Sequence, residues 1–278
     1  MNIPVWLISL AMCLGASPVL ADSLSTQDRE EINRLRSAQG HSAEEVNALL
    51  EQVTKAGEKG LPTEPLANKV KEGLAKGVEP KRIDPVLRQL VTHFESAHDV
   101  LQESISKGMV DSSQGNRQRA LEGLAEALSR GTTAEEVREL AKTAQGGGTK
   151  VSQESLASGA KSLAIMKEAK IPSKDGTALV AEGLRQGYRS AELGDLAREI
   201  KRRGADIQQG RMNLQNIKDQ VSKGQRADRI FRDGDHSGSG GGERMDRSGS
   251  SDRGNSGGRD DRGSRPDRSG SGHGGRDH

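Results

Sequence analysis

The sequence predicts an all-α protein: an irregular array of about five helix–Gly–helix repeats, solenoid-like or bundled, followed by a disordered C-terminal tail. Three observations lead there. Between residues 22 and 231, aliphatic side chains recur at three- and four-residue spacing, broken at intervals by Gly or Pro. Past residue 21 the only aromatics are Phe94, Tyr188 and Phe231. A core must then come from Leu, Val, Ile and Ala, which favours helix-on-helix packing over a β-sandwich. Beyond Phe231 the composition narrows to Gly, Ser, Asp and Arg.

Residues 1–21 carry no charged side chain and end in small residues, with Val19 and Ala21 at the −3 and −1 positions before Asp22. This reads as a signal peptide cleaved after Ala21. The alternatives are an uncleaved membrane anchor and a lipoprotein site at Leu10-Ala11-Met12-Cys13, where Met12 is bulky for such a site. Cleavage removes Cys13 and Trp6, the only residues of their kinds, so the mature chain has neither disulfide nor thiol chemistry. The expected location is periplasmic or secreted, with no membrane span after cleavage. A net charge of +2 gives no whole-molecule field for nucleic acid or an anionic membrane.

The repeats are anchored on Gly40, Gly77, Gly131, Gly187 and Gly224. Six residues after each stands an aliphatic: Val46, Ile83, Val137, Leu193 and Ile230. Apolar positions continue three, four and seven residues later, as in Val86, Leu87 and Leu90. Before the glycine, pairs such as Val70/Leu74 and Val180/Leu184 fall on one helical face. Each glycine is predicted to end a helix in the left-handed conformation. The next helix then starts on Ser42 or Thr133 with Glu45 or Glu136 completing a capping box, or on Pro80 at the first helical position. The longer central intervals have room for extra helices at 96–107 and 151–168. Glu-Gly-Leu recurs at 72–74, 122–124 and 182–184, and a mid-helix glycine there implies close approach of a neighbouring helix.

The run Gly146-Gly147-Gly148-Thr149-Lys150 lacks the spacing and the preceding strand of a phosphate-binding loop and reads as a hinge. It divides a first lobe, 22–145, from a second, 146–231. The tail, 232–278, holds 9 Arg against 8 Asp and one Glu, many as adjacent Asp-Arg pairs, so each guanidinium carries its own competitor for phosphate. Asp233, Asp235, Ser237 and Gly238 open like a calcium loop, but Arg244 stands where the bidentate Glu belongs. No catalytic, cofactor or other metal residue emerges. His93 and His98 lie about 140° apart on a helix, too far to share a metal. Ser104 and Lys107 match Ser-x-x-Lys without its companion motifs. Lys81, Arg82 and Arg88 could hold an anion at a helix start, although solvated charges are the simpler reading.

The wording GLP…VKEGLAKGVEP…I at 60–83 resembles a motif of bacterial secreted helical proteins. That resemblance covers about 25 residues and implies a bacterial envelope setting, without an activity or a site. The expected function is that of a non-enzymatic protein-interaction module in the envelope or outside the cell, its partner an unidentified protein. The rival expectations are an envelope enzyme with an unrecognised site and an extracellular anion or nucleic-acid binder.

Overall fold

The computed structural model describes residues 24–110, 112–146 and 150–232. Among these the chain forms α1 (Thr26–Gln39), α2 (Ala43–Glu58), α3 (Thr63–Ala75), α4 (Pro80–Ser106), α5 (Gln114–Ser129) and α6 (Ala134–Gln145). They continue as α7 (Gln153–Glu168), α8 (Ser173–Arg185), α9 (Ser190–Arg202), α10 (Gly204–Gln208), α11 (Leu214–Ser222) and α12 (Ala227–Arg232). No strand longer than an isolated bridge between Val110 and Ser152 is present among the described residues. Most helices two apart in the chain up to α9 lie side by side, and beyond them α11 packs on α8 and α12 on α9. One layer runs through α1/α3 and α5/α7/α9/α12, and the other through α2/α4/α6/α8/α11.

One joint, repeated, produces this arrangement. At Gly77, φ is +67°; its N–H bonds Leu74 O at 2.9 Å, and the next N–H, of Val78, bonds Gly73 O at 3.0 Å. That is a Schellman cap, in which a left-handed residue satisfies the last carbonyls and turns the chain. All five glycines expected from the sequence adopt it. So do Gly60, Gly108, Gly210 and, without a glycine, Lys170 at φ +59°. The residue after the turn often plugs into the core: Leu61, Met109, Ile171 and Tyr188 are all buried. Because Lys170 holds a conformation disfavoured by about 1–2 kcal/mol for a residue with a Cβ, Lys170→Gly should stabilise the protein. The gain is reduced by about 0.4–1 kcal/mol for the freer unfolded chain. Urea titration should place the variant's midpoint above that of the parent.

The aliphatics six residues after the joint are buried in every repeat, as are Val70, Leu74, Val180, Leu184, Ile217 and Val221 before it. Three expectations need correction. Ser42 makes no side-chain cap, and Glu45 instead pairs with Lys81 at 3.2 Å; of the two expected pairs, Thr133 and Glu136 form the full capping box. Val86 is 46% exposed. The buried stripe of α4 runs through Ile83, Leu87, Phe94, Ala97 and Leu101, so Val86, about 100° round from Leu87, misses it. The stretch 96–107 is no separate helix: up to Ser106 it is the second half of α4, whose 27 residues hold no break, and Lys107 caps it. The extra helix expected at 151–168 is α7. Packing continues across the Gly-rich run, with α5 against α7 and α6 against α8, and the described residues fall within one compact unit.

The Glu-Gly-Leu glycines mark close approaches. A Cβ on Gly73 would lie 2.6 Å from Ile83 Cδ1, and one on Gly183 would lie 2.9 Å from Leu193 Cδ2. In both, the helix after the joint presses its first buried aliphatic into the glycine of the helix before. Gly123 serves a different neighbour: its Cβ would stand 3.1 Å from that of Ala157 in α7.

At the start of the array, α1 is poor in apolar residues, and Ile32 is its one buried side chain. Ion pairing supplements this. Lys71 of α3 reaches Asp28 Oδ1 at 2.8 Å, while Ser25 Oγ donates to Asp28 Oδ2 at 2.6 Å and caps the helix. The hydrogen bond from Lys71, and then that from Ser25, hold the Asp28 carboxyl below its ordinary pKa of 3.8. A depressed folded pKa stabilises above the unfolded value, and that stabilisation disappears as pH falls through the folded one. The stability gap between the protein and its Asp28→Asn variant should therefore close on acidification from about pH 7 to below pH 4. Denaturant titrations of both proteins measure it; a gap that stays constant would contradict the assignment.

Candidate interaction grooves

A cavity of 530 Å³ lies between α9 and α12. The amphipathic α9 buries Leu193, Leu196, Ala197 and Ile200, which turns Asp195, Arg198 and Arg202 outward. In α12, Ala227, Ile230 and Phe231 face the core. Two of the three aromatics that follow residue 21 lie beneath arginines here. The Arg203 guanidinium sits 4.8 Å from the Phe231 ring centre and donates to Phe231 O at 3.3 Å. That of Arg226 sits 4.2 Å from the Tyr188 ring and 3.3 Å from Glu192. Burial pushes the Tyr188 phenol up, and its hydroxyl donates to Gln225 O. Glu199 accepts from both Arg202 and Arg203, and Asp195 from Arg198 at 2.6 Å. The groove is thus zwitterionic, with Arg198, Arg202, Arg203 and Arg226 each paired to an acid. It can exchange ion pairs with a ligand, but no side chain in it is poised as a nucleophile.

A second cavity, 420 Å³, lies between α2 and α4. Gln52, Lys55 and Ala56 share one face of α2, Lys59 follows at its C-terminal end, and Arg88, Val91 and Thr92 share one face of α4. The buried Ala56 and partly buried Val91 form its apolar floor. Carboxylates stand outside its lining: Glu51 is 2.7 Å from Lys55, Glu95 is 2.5 Å from Lys59, and Asp84 Oδ2 is 2.9 Å from Arg88 Nε. Burial opposes ionisation of Asp84, but hydrogen bonds from Arg88 and Gln52 outweigh it and hold that carboxyl below the usual range. The Gln52 carbonyl oxygen is shut off from solvent without a donor.

The residues singled out in the sequence do not gather into a reactive centre. Lys81 pairs with Glu45 and Arg88 with Asp84, so two of the three basic residues near Pro80 are engaged in ion pairs. His98 Nε2 lies 3.4 Å from Gln102 Nε2 and from Arg117 Nη2, while burial lowers the pKa of His93. Among the described residues no three His, Cys, Asp or Glu side chains are placed to share a metal ion. Ser104 is buried and donates to Val100 O at 2.7 Å, whereas Lys107 pairs with Glu103 at 2.5 Å. The hydroxyl is committed to its own helix, and the amine to a carboxylate. Asp233, Asp235 and Ser237 lie outside the described residues, as does the stretch 147–149. No described helix is long and apolar enough to cross a membrane.

Sequence reasoning missed both grooves. Their walls come from helices about 30 residues apart, and no single-helix pattern reports which polar faces will adjoin. One signal was present: basic residues 55 and 88 fall on faces opposite the buried stripes of their helices. No protein-family model, no curated protein and no solved structure matches this chain.

Proposed function

We propose that this protein is an exported, non-enzymatic helical-repeat protein that acts through protein–protein contacts in the bacterial envelope or outside the cell. The observation that carries the reading is the two-layer stacking of its helices. Stacking leaves long, parallel polar faces with shallow grooves between them, a geometry suited to holding an extended partner. The apolar, charge-free residues 1–21 with small residues before Asp22, and the wording of 60–83, support the exported setting.

A second reading, an extracellular anion or nucleic-acid binder, draws on the arginines of the α9/α12 groove. It is the weaker one, because Glu192, Asp195, Glu199 and Asp228 line the same groove and compete for those arginines. Expression of the full chain in a bacterium, followed by fractionation and mass measurement, should give a protein beginning at Asp22 in the periplasm or medium. Affinity capture from envelope extract should then recover a specific protein. A cytoplasmic chain with its N-terminus intact, or turnover of an envelope substrate by the purified protein, would overturn the reading. Capture dominated by nucleic acid, weakening steeply as salt rises, would favour the second reading.

A further inference from the structure

We draw no further inference here: the strongest candidate, the 310 Å³ cavity between the first turns of α8 and α11 that Lys174 and Lys218 line, carries nothing, because Asp175 stands in the same lining and nothing beyond two lysines and two helix starts points to a ligand there.

Discussion

Leu140→Ala should lower the unfolding free energy by about 2–5 kcal/mol, as expected for a buried leucine truncated where neighbours cannot collapse. Leu140 is fully buried in α6 and points at Gly159 of α7, where a Cβ would sit 3.1 Å from Leu140 Cδ2. The same Cβ would lie 3.2 Å from Leu184 and Val180 of α8, so three helices meet on one glycine. Gly159→Ala alone should therefore destabilise by overpacking, offset by the better helix propensity of alanine, for a net loss of at most about 1–2 kcal/mol. In the Leu140→Ala background the added methyl enters vacated space. The double variant should be more stable than the sum of the single losses, with a coupling of about 0.5–3 kcal/mol. Urea unfolding of the four proteins reads this directly; additive losses would mean that the two side chains are not neighbours.

Gly187→Val should also cost more than 1 kcal/mol, for a different reason. Nothing lies within 4 Å of a Cβ at Gly187, so sterics between helices are not involved. The loss comes from φ at +69°, disfavoured by about 1–2 kcal/mol for L-residues and by more for a β-branched one. Gly187→Asn should cost less, since asparagine tolerates this conformation. Gly115 is the control: it sits inside α5 with open space around it and no positive φ, so Gly115→Ala should raise stability by up to about 1 kcal/mol. Thermal melts that rank the variants Gly115→Ala, parent, Gly187→Asn, Gly187→Val from most to least stable would match. Equal effects at 115 and 187 would show that position 187 is not a left-handed joint.

The joints were legible wherever a glycine stood before an aliphatic at +6, because cap and buried stripe then appear together in the sequence. Gly60 obeys the same rule, with Leu66 at +6 and fully buried, and could have been read. Lys170 could not, since the left-handed position is held by a residue with a Cβ, and burial of the following Ile171 carries the turn. The unbroken α4 was misjudged because its length of 27 residues looks like two helices until packing shows otherwise. Its first half lies by α2, through Asp84 and Gln52, and its second by α6, through Glu103 and Arg138 at 2.7 Å. The candidate grooves depend on such long-range adjacency, so composition named their charges but not their meeting place.

The central claim is that one two-layer array continues across residues 147–149, with α5 seated on α7. A Cβ at Gly123 would lie 3.1 Å from the Cβ of Ala157, a few tenths of an ångström inside the usual disulfide range of about 3.5–4.5 Å. The only native cysteine is Cys13, so a Gly123→Cys/Ala157→Cys pair in a Cys13→Ser background reports on itself alone. Mild oxidation should close it within one chain, seen as the mass of two lost hydrogens and faster migration on a non-reducing gel. Two thiols that stay free in the folded, oxidised protein would contradict the array.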